Sequence, residues 1–108
     1  MTDKVVALTT CSSSEEAAVL ARGLIERRIA ACANILPAIR SVYRWQGKVE
    51  EDSEALLIIK TARDSVEALK AAIRQLHPYE VPELIVLPIE AGATAYLEWV
   101  GEQVGPQT

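Results

Sequence analysis

The chain has 108 residues, half of them hydrophobic and about a quarter charged, which is the balance of a folded globular domain and excludes intrinsic disorder. Fifteen acidic against eleven basic residues give a formal net charge of −4, and Arg27-Arg28 is the only adjacent basic pair, so no nucleic-acid partner is predicted. No segment approaches the ~20 apolar residues of a membrane span, so no membrane partner is predicted. The start of the sequence resembles no targeting peptide. Two cysteines without a CxxC spacing indicate reduced thiols in a cytoplasmic protein.

A strand and a helix are predicted first along the chain. Residues 4–11 are apolar and β-branched, which favours a strand. Ser13 and Glu16 then have the spacing of a capping box at the start of a helix. Apolar residues recur in this helix at i, i+3, i+4 and i+7, so one face is predicted to pack on a sheet, and this face consists of Ala17, Leu20, Ala21, Leu24 and Ile25.

A long hairpin follows. Residues 31–46 have an extended pattern that is interrupted at Pro37, and Gln46-Gly47-Lys48 provides a glycine-centred turn. The returning residues 55–59 are apolar at every position, so this strand is predicted to lie inside the sheet with both faces covered.

This hairpin is too long for the sheet that it belongs to. At ~3.3 Å per residue, residues 31–46 reach about 50 Å, whereas a domain of this length has a radius of gyration of about 13 Å. The outer half carries Tyr43 and Trp45 on one face. A two-stranded ribbon with exposed rings and open edges favours pairing with another chain, so self-association is predicted.

The second half of the chain predicts a helix, a strand and a closing helix. The helix runs from Arg63 to Leu76, with Asp64 or Ser65 as its N-cap, Pro78 behind its end, and a buried face of Val66, Leu69, Ile73 and Leu76. An outer strand is predicted at residues 84–89, and an amphipathic helix at residues 94–104 turns Tyr96, Leu97 and Val100 inward.

Together these elements predict an α+β fold of the ferredoxin-like βαββαβ type. Its features are a four-stranded antiparallel sheet with helices on one face, a long protruding hairpin between the second and third strands, and a short C-terminal helix. No linker or low-complexity tract divides the chain, so residues 1–108 are predicted to form a single domain with a folded part at about residues 4–103.

His77 is the only histidine and has two possible roles. Pro78 places it at the end of a helix, where an imidazole can donate to the free carbonyl groups of the last turn. Alternatively, His77, the nearby Glu80 and the thiol of Cys11 supply the nitrogen, oxygen and sulfur donors that Cu and Zn prefer. Both interpretations stay open at the level of the sequence.

Polar groups in apolar surroundings form a second set of candidates. Tyr43, Trp45 and Tyr79 either pack in an interface with their polar tips satisfied or line a ligand pocket. Asn34 and Lys60 occur in otherwise apolar strands, where polar groups must be paired, so they either form an interface cluster or face a small ligand.

Catalysis has little support in this sequence. Cys32 alternates with Asn34 in a strand, and Cys11 ends the first strand, but no local pattern pairs either thiol with His77 as a base. Glycine-rich phosphate loops and HExxH or GxSxG motifs are absent from the sequence. We therefore predict a protein without enzymatic activity.

Three segments in this order, AACANILPAIRSVYRWQGKVEEDSEALLIIKT, LHPYEVPELIVLPI and YLEWV, resemble the CutA divalent-cation tolerance family, and the similarity extends from Val5 to about Val100. The resemblance implies a small cytoplasmic protein with a ferredoxin-like fold. It also implies a tight homotrimer in which the long hairpins extend the sheets of neighbouring subunits. Bacterial members are linked to tolerance of copper and other divalent cations, and no enzymatic reaction is firmly attached to the family.

The resemblance also implies site residues. A cleft between subunits is expected to gather Cys32, Asn34, Tyr43, Trp45, Lys60, Tyr79 and Glu83. Cu(2+) or Zn(2+) is expected to bind weakly through His77, with Glu80 or Cys11 assisting, and is not required for folding. Some bacterial members that bind copper have a cysteine at the position of Thr9 and a second histidine at the position of Leu76, so the donor set is reduced here and Cys11 is the conceivable substitute.

An alternative role follows from the same resemblance. The family trimer is similar to the nitrogen-signalling trimers that bind small effectors at clefts between subunits. On this hypothesis the protein is a sensor or scaffold that holds a small anionic or polar ligand through Lys60, Asn34 and the aromatic rings.

Overall fold

The computed structural model describes residues 2–105 and confirms the predicted order of elements. The elements are β1 (Lys4–Cys11), α1 (Ser14–Glu26), β2 (Cys32–Trp45), β3 (Lys48–Ala62), α2 (Val66–Leu76), β4 (Ile85–Pro88) and α3 (Thr94–Gln103). The predicted single domain extends to residues 1 and 106–108, which lie outside the described range. Among residues 2–105, no helix combines the length and apolarity needed to cross a bilayer.

The four strands form one sheet in the order β2-β3-β1-β4, with antiparallel neighbours. β3 is therefore an interior strand, as predicted. The prediction that both of its faces are covered holds for one face only within this chain, because Ala55, Leu57 and Ile59 are fully buried whereas Leu56 and Ile58 are half-buried. β4 is an edge strand and is shorter than the predicted residues 84–89.

The hairpin of β2 and β3 extends beyond the sheet. Its pairing runs from Cys32 opposite Lys60 to Trp45 opposite Lys48, with a register shift between Leu36 and Ile39. Pro37 lies in this shift, because proline has no N–H group for the ladder. We call the outer part, residues 39–54, the ribbon. It helps to give the molecule a longest dimension of 44 Å against 28 and 22 Å for the other two.

The hydrophobic core lies between one face of the sheet and the helices α1 and α2. Alternate residues of β1 and β3 point into it, and Leu24 of α1 and Leu69 of α2 are fully buried against them. Ser13 caps α1, since its Oγ accepts the N–H of Glu16 at 3.1 Å. The carboxylate of Glu16 accepts the N–H of Ser12 in return, also at 3.1 Å, which closes the predicted capping box one residue earlier than expected.

The opposite side of the sheet, which we call the open face, is only partly covered. α3 contacts β1 and β3, and its Gly101 lies so close to Lys4 that a Cβ atom there would be 3.0 Å from the lysine side chain. The predicted shared face holds for α1 and α2, and α3, whose face was not predicted, lies on the other side of the sheet. The remainder of the open face carries the apolar residues Val6, Leu8, Leu36, Leu56, Ile58, Ile85 and Leu87.

Several predicted helix details are also wrong. Ile25 and Leu76 are each 38% exposed, because they lie at helix ends, and Leu76 packs over Gly23 of α1 instead of entering the core. Tyr96 is 42% exposed, while Val100 carries the contact of α3 with the sheet. α2 begins at Val66 after a 3-10 turn, and the side chain of Ser65 makes no capping hydrogen bond.

Burial of Leu24 predicts a stability difference along one helix. Leu24→Ala removes a fully buried side chain and is expected to lower the free energy of unfolding by about 2–5 kcal/mol. Val19→Ala removes a side chain of the same helix that is 76% exposed, so its effect is expected to stay within about 0.5 kcal/mol. Urea unfolding of both variants at equal protein concentration measures the difference, and equal effects would contradict this packing.

Candidate functional site

His77 joins the end of α2 to the end of β1. It is 6% exposed, and its Nε2 lies 2.7 Å from the carbonyl oxygen of Thr10. Its Nδ1 accepts the backbone N–H of Tyr79 at 3.2 Å, which places the ring proton on Nε2, where it donates to Thr10. The imidazole therefore does not cap its own helix. The helix end is closed instead by the backbone N–H of His77, which donates to Ile73.

The thiol of Cys11 lies beside this ring. Its Sγ lies 4.0 Å from His77 Nε2 and is fully buried. Burial raises the pKa of the Cys11 thiol to about 11, and the charges of Glu16 and Glu54 act in the same direction. The thiol is consequently protonated at neutral pH, and in this state it is a poor nucleophile and a poor metal ligand.

The predicted metal donors do not form a ready metal centre in the single chain. Both ring nitrogens of His77 already make hydrogen bonds. Glu80 is exposed on the segment that follows. Within residues 2–105 there is no group of three or more His, Cys, Asp or Glu side chains that is arranged to hold an ion. One nitrogen donor and one sulfur donor are thus adjacent. A metal ion could bind both only after His77 Nε2 had given up its hydrogen bond and the Cys11 thiol had lost its proton.

A cavity of about 770 Å³ lies between the ribbon and residues 79–83, and we call it the acidic cleft. Four carboxylates and three aromatic rings line it, namely Asp52, Glu54, Glu80, Glu83, Tyr43, Trp45 and Tyr79. Five of these seven residues are predicted site residues. Asp52 and Glu54 were not predicted, because a polar run in a hairpin usually indicates solvent-exposed residues. Their alternation along β3, which places both side chains on one face, is the signal that could have identified them.

Hydrogen bonds fix two of the rings in the acidic cleft. The Tyr43 hydroxyl donates to Asp52, and the Tyr79 hydroxyl donates to Glu54 at 2.8 Å. The bond to Asp52 is the main cause that raises the pKa of Tyr43 to about 12. Burial, followed by the bond to Glu54, also raises the pKa of Tyr79 well above its ordinary value. Both hydroxyls therefore stay protonated and serve as donors to the carboxylates.

The remaining predicted residues lie elsewhere, in a group that we call the Lys60 cluster and that consists of Cys32, Asn34 and Lys60. Lys60 is directly opposite Cys32 in the sheet, and its Nζ donates to Asn34 Oδ1. The Cys32 thiol lies 3.7 Å from the same oxygen. None of the three lines the acidic cleft, so within one chain the predicted set is divided between two places.

Comparisons with known proteins bear on this arrangement. The family model described as CutA1 divalent ion tolerance protein matches residues 5–103. The divalent-cation tolerance protein CutA of Thermus thermophilus is 48% identical over 100 residues, which are 93% of this chain and 97% of that protein. The CutA homolog of Xenopus laevis is 53% identical over 98 residues, or 91% of this chain, and human CutA is 50% identical over 94 residues, or 87% of it. The chain spans 65% of the length of the frog protein and 52% of the human one.

Solved structures agree with the sequence comparisons. The Cut A1 protein of Thermus thermophilus superimposes with a TM-score of 0.92 at 47% identity and covers 94% of this chain and 99% of that one. CutA1 of Oryza sativa gives 0.94 at 42% identity and covers 98% of this chain and 97% of that one.

The raised pKa of Cys11 predicts slow thiol chemistry. In a Cys32→Ser variant, which leaves Cys11 as the only thiol, alkylation by iodoacetamide at pH 8 is expected to be at least about a hundredfold slower in the folded protein than in urea. The shift from 9.0 to about 11 lowers the thiolate fraction by this factor, and burial adds to the protection. Equal rates in the two conditions would show that Cys11 is accessible and ionised.

Proposed function

This chain belongs to the CutA1 divalent ion tolerance family, and from that premise we propose that it is a homotrimeric, non-enzymatic protein of divalent metal tolerance that binds Cu or Zn weakly. Its two thiols are free, which supports a location in the reducing cytoplasm. The homotrimer, the metal and the location are parts of this proposal.

The 4.0 Å approach of Cys11 Sγ to His77 Nε2 is the observation that carries the metal proposal. A nitrogen and a sulfur donor side by side suit Cu and Zn, and Glu80 follows on the segment that His77 anchors. The cost of binding explains why it is weak. Freeing Nε2 from Thr10 costs about 1 kcal/mol, or roughly a factor of five in affinity, and the thiol must also lose its proton.

The homotrimer is supported by the surface of the sheet. Leu36, Ile85 and Leu87 on the open face are 41%, 47% and 45% exposed. β2 and β4 are edge strands whose outer edges are unpaired within residues 2–105. An apolar face between two open edges is a surface that proteins usually cover by association, and the ribbon provides a strand pair that can extend a neighbouring sheet.

A second candidate function rests on the Lys60 cluster. The half-buried ammonium group of Lys60 has an amide partner in Asn34 and takes part in none of the ion pairs of the described residues. A partly desolvated cation without a carboxylate partner favours an anionic ligand. This observation supports the alternative of a sensor or scaffold that binds a small anionic ligand beside Lys60.

The metal proposal predicts opposite effects for two neighbouring substitutions. In calorimetric titrations of the reduced protein with Zn(2+) and Cu(2+), His77→Ala is expected to weaken binding at least tenfold, because it removes the nitrogen donor. Leu76→His adds an imidazole at a position that is 38% exposed and is expected to tighten binding by about tenfold. Glu67→Gln on the outer side of α2 is the control and should leave binding unchanged.

Equal metal affinities for the wild type and His77→Ala would show that His77 is not a metal ligand. Tighter binding by Leu76→His would then show only that a new site had been made.

The trimer proposal predicts a change of mass. The wild type is expected to have three times the 11.8 kDa of one chain by light scattering. Leu87→Asp places a charge on the apolar open face and is expected to reduce the mass to that of one chain, because burying an unpaired carboxylate is strongly unfavourable. Val19→Asp on the outer surface of α1 should leave the trimer intact. A monomeric wild type, or an unchanged mass for Leu87→Asp, would contradict the proposed interface.

A further inference from the structure

His77 uses the two nitrogens of one rigid ring to hold different parts of the chain. Nε2 donates to the carbonyl oxygen of Thr10 at 2.7 Å, and Nδ1 accepts the N–H of Tyr79 at 3.2 Å. Nε2 is also the nitrogen that lies 4.0 Å from Cys11 Sγ. It can bind an ion beside Cys11 only after it has turned away from Thr10, since a ring nitrogen offers either one hydrogen or one lone pair. Because a turn of the ring moves both nitrogens, the acceptor of the Tyr79 N–H is displaced as well.

Tyr79 extends this connection to the ribbon. Its ring packs against the imidazole with centroids 4.5 Å apart, and its hydroxyl donates to Glu54 Oε2 at 2.8 Å. Glu54 is the last residue of the ribbon, and both partners of this bond are half-buried, so water competes for it only in part. Three groups of Tyr79, namely the N–H, the ring and the hydroxyl, therefore join His77 to the base of the ribbon.

Residues 77–83 can respond to such a displacement without breaking a helix or a strand, because none of them belongs to either. The far end of the segment is fixed, since the hydroxyl of the buried Thr9 donates to the carbonyl oxygen of Glu83 at 2.6 Å. A movement that starts at His77 is therefore confined to the residues between the two anchors, and these residues include Tyr79.

We propose that His77, Tyr79 and Glu54 form a relay that loosens the hold of residues 77–83 on the ribbon when the His77 site is occupied by Zn or Cu. The inference rests on the metal proposal and adds a conformational response to it. With Nε2 turned to the ion, the Tyr79 N–H loses its acceptor and the bond between Tyr79 and Glu54 weakens. Because linkage is reciprocal, a bond that stabilises only the metal-free arrangement must oppose metal binding by the same free energy. Tyr79 is thus a positioning residue that acts through His77 and is not itself a metal ligand.

The relay predicts that removing a group that is not a metal donor tightens metal binding. Tyr79→Phe keeps the ring and removes the hydroxyl bond to Glu54, which holds only the metal-free arrangement in place. In calorimetric titrations of the reduced protein with Zn(2+), the affinity of this variant is expected to be about fivefold higher than that of the wild type, the factor that one net hydrogen bond contributes. Tyr43→Phe is the matched control, because it removes a hydroxyl bond to another ribbon carboxylate, Asp52, and leaves the bonds of residues 77–83 in place. Its affinity for Zn(2+) should equal that of the wild type.

Hydrogen exchange of the Tyr79 amide in the wild type provides a second readout that needs no substitution. By NMR, this amide is expected to exchange at least about fivefold faster with saturating Zn(2+) than without it, because its acceptor on His77 is displaced. The amide of Leu69, in the fully buried part of α2, is the control. Its exchange should not become faster, since a ligand of the native state slows exchange that requires unfolding.

The outcomes separate the relay from the metal proposal. Absence of Zn(2+) binding by the wild type, or binding that His77→Ala leaves unchanged, would overturn both. Binding that depends on His77 would overturn the relay alone if Tyr79→Phe had the affinity of the wild type, if Tyr43→Phe gained as much as Tyr79→Phe, or if Zn(2+) did not accelerate exchange of the Tyr79 amide. If Tyr79→Phe fails to fold, as judged by circular dichroism, the exchange measurement on the wild type decides the question.

Discussion

The hydrogen bond from His77 Nε2 to the carbonyl oxygen of Thr10 is the interaction on which both the His77 site and the acidic cleft depend. It is buried, and it ties the end of α2 to the end of β1. The same ring accepts the N–H of Tyr79 through Nδ1 and packs against the tilted Tyr79 ring, with centroids 4.5 Å apart and an interplanar angle of 58°. One imidazole therefore sets the direction of residues 77–83. That segment forms a wall of the acidic cleft, and Thr9 holds its far end by donating to the carbonyl oxygen of Glu83.

This anchoring role competes with metal binding. A histidine that uses both nitrogens to hold the backbone can bind an ion only by giving up one of those bonds, and its neighbour Cys11 can join only by losing a proton that burial retains. In the metal proposal, this competition favours weak, exchangeable binding over a tight site.

Much of the fold could be predicted from the sequence, because periodicity and turn residues are local. The interior position of β3 followed from an apolar run, and the irregularity at Pro37 from its missing N–H group. Long-range geometry was not accessible in this way. The acceptor of the His77 proton lies 67 positions away in β1. Likewise, no spacing pattern in the sequence indicates that Lys60 lies in a different place from the aromatic rings. The face that α3 covers could not be predicted, because its weak amphipathic pattern gives no sign of which side of the sheet it packs on.

The most direct measurement is the tautomer of the only histidine, by long-range proton–nitrogen NMR of the imidazole group. Because the chain has one histidine, the signals need no assignment. The account predicts at neutral pH a protonated Nε2 that exchanges slowly with solvent and an unprotonated Nδ1. A proton on Nδ1, or an averaged signal from a freely exchanging ring, would contradict the central role of the His77–Thr10 bond.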